Sequence, residues 1–176
     1  PCLSGCHKVG IVGEIFLKFN PFAQKDVTSW LINQKIEVIP PLISDFFMQG
    51  FVNLKVRQNQ HLQRKLTPDF VIDWLYKKVQ KQINKVNEIG KNFNYFTPFE
   101  SIFEKAEKAK QVISLGTQFG EGWLISGEIL SFASQGVNHV ISLQPFGCIA
   151  NHIVEKGIEK RIKSLCPQMN ILSLDF

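Results

Sequence analysis

Residues 137–152, Val137-Asn-His-Val-Ile-Ser-Leu143-Gln144-Pro145-Phe146-Gly147-Cys148-Ile-Ala-Asn-His152, decide the fold reading. Val137 to Leu143 is β-branched and apolar enough for a strand buried on both sides, as in parallel sheets. Proline ends the run, glycine permits a tight turn, and a helical pattern follows from Ile149 to Leu165, stopped by Pro167. Asn170 to Leu174 is then a closing strand. Strand, helix and strand at this pitch signal a βαβ unit.

Working toward the N-terminus, Gly122 to Ser134 reads as a helix with Gly136 as its stop. Thr97-Pro98-Phe99-Glu100 has capping-box spacing ahead of a stripe of Phe99, Ile102, Phe103 and Ala106. Thr67-Pro68-Asp69 opens another helix, in which Ile72, Leu75, Val79, Ile83 and Val86 recur at steps of three and four as an apolar stripe and Gly90 is the stop. Lys35 to Ile39 is a short strand ended by Pro40-Pro41. Asn20-Pro21 predicts a helix start, with Val27, Trp30 and Leu31 on its buried face. Val9 to Phe16 is a near-continuous apolar run, hence a strand. Residues 1–8 lack periodicity and read as a linker or tail. The expected fold is α/β: a three-layer, Rossmann-like single domain over residues 9–176, with a short, mostly parallel sheet and helices on both faces.

Composition agrees with one such domain. The 176 residues are 44% hydrophobic and 20% charged, and they include fifteen phenylalanines, which excludes a disordered chain. No stretch approaches the roughly 18 apolar residues of a membrane span. Lys+Arg 20 against Asp+Glu 15 gives +5, and nine basic against three acidic residues between Lys55 and Lys91 concentrate that charge. Specific nucleic-acid binding is not expected, because Lys77, Lys78, Lys81 and Lys85 lie opposite an apolar stripe, as on a solvated helix face. Four cysteines, Cys2, Cys6, Cys148 and Cys166, are too sparse for an oxidised secreted scaffold, so a reducing cytoplasm is expected. Both ends look cut, which predicts a piece of a longer polypeptide.

Chemistry in open parallel sheets gathers beyond the carboxyl ends of the strands. Two such junctions stand out: Gly13-Glu14, and Gln144-Pro145-Phe146-Gly147-Cys148. Cys148 falls at a predicted helix start, where free N–H groups and the helix dipole favour thiolate. His152 lies four residues on, and is read as a helix residue bonding a nearby carbonyl. Cys148 is otherwise a small packed hydrophobe. Gly120-Glu121-Gly122 precedes a helix and is a weak anion-cradle pattern. Glu14, Glu121, Glu128 and Asp175 are candidates to converge with Cys148 at one sheet edge. A zinc site of Cys2, Cys6, Cys148 and His152 would require the N-terminal tail to fold onto that edge.

Several stretches together resemble one family: Lys8-Val-Gly-Ile-Val-Gly-Glu-Ile15, Phe119-Gly-Glu-Gly-Trp-Leu-Ile-Ser-Gly-Glu128, Gly136-Val-Asn-His139, Gln144-Pro-Phe-Gly-Cys-Ile-Ala-Asn-His152 and Leu174-Asp-Phe176. They look like the C-terminal, dehydratase-subunit-like region of 2-hydroxyacyl-CoA dehydratase activators, or acyl-CoA dehydratase activase-related proteins. The resemblance implies an iron–sulfur-associated module of an ATP-driven activator or reductase, not catalytic alone. It implies Cys148 as a cluster ligand, with Gly13, Glu14, Gly120, Glu121, Gly122, Gln144, Pro145, Phe146 and Gly147 shaping the pocket. ATP would bind only other modules of the longer chain. Partners would be those modules, a dehydratase-like subunit, or acyl-CoA. Ile149-Ala150 departs from the family's usual Leu or Val-Pro. One cysteine is also short of the four thiolates a [4Fe–4S] cluster takes. The alternative is an acyl-CoA- or partner-binding α/β scaffold without a cluster.

Overall fold

The computed structural model describes residues 6–64, 68–94 and 96–176. Cys2 and Thr67 lie outside the described residues. The chain runs β1 (Lys8–Gly13), α1 (Ile15–Phe19), α2 (Val27–Asn33), β2 (Glu37–Ile39), α3 (Ile43–Asn59) and α4 (Asp69–Gly90). It continues with α5 (Ile102–Ala109), α6 (Gly122–Ser134), β3 (His139–Gln144), a π-helical segment (Ile149–Glu155), α7 (Lys156–Leu165) and β4 (Asn170–Asp175). The four strands form one all-parallel sheet in the order β2-β1-β3-β4. No helix among the described residues is long and apolar enough to cross a membrane.

Alternation along β1 sorts its side chains into two cores. Val12 packs with Ile125, Ile129 and Phe132 of α6 and with Ile158 and Ile162 of α7. Val9 and Ile11 pack instead with Leu17 of α1 and Leu31 of α2. A third cluster joins Met48 and Val52 of α3 to Ile102 and Ala106 of α5 and to Trp123 and Leu124 of α6. The expected helix over 122–134 has the bounds read from sequence, because apolar residues surround it and Gly136 ends it in a left-handed turn.

Elsewhere local signals were overridden. Lys8 already belongs to β1, not to a tail, since Glu37 N–H bonds His7 O and aligns the two strands. The first strand ends at Gly13 instead of running to Phe16, because Glu14 caps a separate short helix. Asn20 starts no helix. Its Oδ1 accepts from the Phe22 and Ala23 N–H groups, closing a turn, and α2 begins only at Val27. Of that helix's supposed buried face only Leu31 is buried, while Trp30 is 60% exposed.

The capping box sits four residues later than read. Ser101 caps α5 with Glu104 as its reciprocal partner, which frees Glu100 to pair with Lys108 at 2.6 Å. The helix read as 149–165 divides into a π-helical turn and α7. The stripe on α4 is the largest departure: Ile72 is buried, but Leu75, Val79 and Val86 face solvent.

Candidate functional site

The chain adds β2 on one side of β1 and places β3 and β4 on the other, so the carboxyl ends of β1 and β3 lie side by side at the topological switch. Crevices at such points are where open parallel sheets bind ligands. Gly13 makes the close approach possible. Its φ is +111°, and a Cβ there would stand 2.2 Å from Leu143 O. Glu14 N–H then donates to Leu143 O at 3.1 Å.

Glu14 turns its carboxylate back on its own helix, accepting from Leu17 N–H at 3.0 Å. Glu121, buried at the start of α6, reaches across and accepts Ile15 N–H at 2.7 Å. Burial pushes the Glu121 carboxyl up, opposed by the Lys18 ammonium and the Ile15 N–H. Gly120, just before it, lies against Ala150, within 3.7 Å of where its own Cβ would be. Gly122 opens α6. Three segments distant in sequence therefore meet: Gly13-Glu14, Gly120-Glu121-Gly122 and the turn after β3.

In that last turn Gln144 is fully buried, whereas Phe146 is 88% exposed and Pro145 and Gly147 border solvent. Cys148 is half-buried at the head of the π-helical segment and packs on the core formed by α6 and α7. His152 does not bond a carbonyl. Its Nδ1 accepts Gly147 N–H at 3.3 Å, which leaves the proton on Nε2 to donate to Asp175 Oδ1 at 2.9 Å. Asp175 thereby ties the end of β4 to the same turn.

A polar cluster joins β3 to the π-helical segment. Glu155 Oε2 accepts from the Ser142 hydroxyl and from Asn151 Nδ2 at 3.2 Å. Burial pushes Glu155 up, and the bonds from Ser142 and Asn151 oppose it. The Gln144 amide is near enough to oppose it too, but makes no bond of normal geometry.

A line of buried charge was not read from the sequence. Lys18 Nζ contacts both oxygens of Glu128 at 3.3 Å, and Lys105 pairs with Asp45. Burial pushes both carboxyls up, with the neighbouring ammoniums pulling them back. The available signal was Glu128 itself, since a carboxylate inside an otherwise apolar helix requires a cation. Glu128 and Lys105 also border a cavity of about 260 Å³ beside Pro40, Phe96 and Phe99.

The zinc reading fails on strand direction. Cys6 precedes the start of β1, whereas Cys148 follows the end of the parallel neighbour β3. A strand of this length separates them by about 20 Å. Cys166 precedes β4 and lies at that same far edge. Among the described residues no group of three or more His, Cys, Asp or Glu side chains is gathered to hold a metal ion.

Comparison with protein-family models, curated proteins and solved structures gives no match for this chain.

Proposed function

We propose that this chain is a module of an ATP-driven system like the 2-hydroxyacyl-CoA dehydratase activators, working in a reducing cytoplasm and offering one thiolate at its sheet edge to an iron–sulfur site shared with another module or subunit. The observation that carries this is that three loops meet at the carboxyl edge of the sheet, that one of them ends in the half-buried thiol of Cys148, and that each has an exposed apolar residue beside it. Phe16 is 62% exposed, Phe119 62% and Ile149 50%, and each adjoins one of those loops. An exposed apolar rim around a single ligand is what a covering surface needs. We read the fold as three-layer and Rossmann-like, which puts this rim at the usual binding edge.

The described residues fit one corner of a cluster and not a cluster. A [4Fe–4S] group takes four thiolates, and His152 is committed to Asp175 and Gly147. ATP belongs to other modules. This chain contributes a ligand, a shape and an apolar seal.

A second reading is a scaffold that binds acyl-CoA or a partner without a cluster. It is favoured by the packing of Cys148 against Ala150 and its neighbours in the core. Anaerobic reconstitution of the full-length protein with iron and sulfide separates the two. Cluster absorption lost in Cys148→Ser supports the shared site; equal spectra in parent and variant remove Cys148 as a ligand; no cluster with both proteins folded leaves the scaffold.

A further inference from the structure

Helix α4 presents to solvent the apolar residues that its periodicity marks for burial. Its inward side is accounted for. Ile72 is buried, Tyr76 meets the rings of Phe51 and Phe103 edge-on, and Asn87 exchanges hydrogen bonds with the backbone of Phe99 at 2.8 and 2.9 Å. Beside this packed side runs a second row: Leu75 (44% exposed), Val79 (39%), Gln82, Val86 (50%) and Ile89 (64%). The steps are four, three, four and three residues. That is the spacing of a coiled-coil seam, one heptad position a and one d per two turns.

We infer that this row is a docking seam for an amphipathic helix of a partner protein, one bearing apolar residues at matching spacing and acidic residues along its flanks. Charge selects the occupant. Lys78, Lys81 and Lys85 line the outer side of the row, and among the described residues no carboxylate lies within ion-pair distance of them. Lys78 is held over the Trp74 ring, 5.3 Å from its centroid, which keeps its ammonium at the margin of the seam. A second copy of α4 in this seat would set lysine against lysine.

Width argues against a lipid surface. A helix lying in a bilayer interface buries a broad apolar face; here the exposed Phe70 and Trp74 widen the row only in the first turns, and from Lys77 on it is two positions wide and interrupted by Gln82. A polar residue at one core position of a coiled coil sets register at some cost in stability. Gln82 takes that part here.

The test uses two fluorescein-labelled peptides of about four heptads, both with leucine at a and d. One carries glutamate at e and g, the other lysine, and binding to the protein is followed by anisotropy at low salt. The glutamate peptide is expected to bind at least about tenfold more tightly than the lysine peptide, and Val86→Glu to weaken it by about tenfold. Ile89→Glu, at a more exposed position, gives the same loss if Val86→Glu lowers the melting temperature. Equal binding of the two peptides, or binding of neither, overturns the inference. So does sedimentation of the protein with phosphatidylcholine/phosphatidylserine vesicles that Val86→Glu abolishes, which gives the face to a membrane. A dimer lost in that variant gives it to a second copy.

Discussion

Glu121 holds the N–H of Ile15 at 2.7 Å across 106 residues of sequence, and that bond closes the loop after β1 onto the start of α6. The carboxyl is buried, and its oxygen takes the place of water as the acceptor for this N–H.

Glu121→Ala leaves the Ile15 N–H without its partner, and a cost of about 1–3 kcal/mol is expected. Glu121→Gln keeps an acceptor oxygen and should retain most of the stability. Urea denaturation measures both, and an alanine variant as stable as the parent would contradict the role given to this bond.

Lys18 and Glu128 form a nearly inaccessible ion pair. Removing one partner strands the other, so Lys18→Met is expected to cost about 3–5 kcal/mol. The double variant Lys18→Met/Glu128→Leu should recover much of that loss, because two apolar groups need no compensation. A double-mutant cycle by chemical denaturation reads the coupling. Additive losses would mean that the pair is not coupled.

The pH dependence follows from Glu155. Its folded value is raised above the unfolded value of about 4.3 by burial, so its proton is bound more tightly in the native state. The resulting stability is complete below the unfolded value and is lost as pH rises through the raised folded value. Glu155→Gln removes that titration. Parent and variant melting temperatures should therefore move apart with rising pH in favour of the variant, and parallel curves would be evidence against a raised carboxyl.

Gly13→Ala and Gly147→Ala test whether the two turns are equally constrained. Both glycines have positive φ, but a Cβ at Gly147 meets open space, whereas one at Gly13 meets the Leu143 backbone. The Gly147 variant should lose only the backbone cost of about 1–2 kcal/mol. The Gly13 variant should lose more and also disturb the β1–β3 edge, as amide exchange at Glu14 would report. Equal losses would show that the close approach is not needed.

How far this was legible in the sequence depends on the range of the determining interaction. Helix α6 and strand β3 were readable because each is buried along most of its length, so local pattern and tertiary demand agree, whereas the edge strand β4 was legible from its apolar run alone. Asn20 misled because an asparagine that caps a turn looks like one that caps a helix. The π-helical start at Ile149 has no sequence signature of this kind. Lys18, Asp45 and Lys105 carry no local signal of burial, since it depends on partners 110 or 60 positions away. The stripe on α4 was correctly seen as apolar. What periodicity does not state is whether the same chain covers it.

The carboxyl-edge turns were found because glycine, proline and cysteine punctuate strand ends strongly. Their mutual approach was not, because the Glu121 bond and the Gly120–Ala150 contact join segments that share no local pattern.

The most direct measurement of the shared-site account is alkylation of Cys148 by iodoacetamide, followed by mass spectrometry, in the full-length protein before and after anaerobic loading with iron and sulfide. The account expects Cys148 to react in the unloaded protein and to be protected once loaded, with Cys166 at the far sheet edge unchanged. Iron and sulfide bound while Cys148 reacts as fast as before would contradict it.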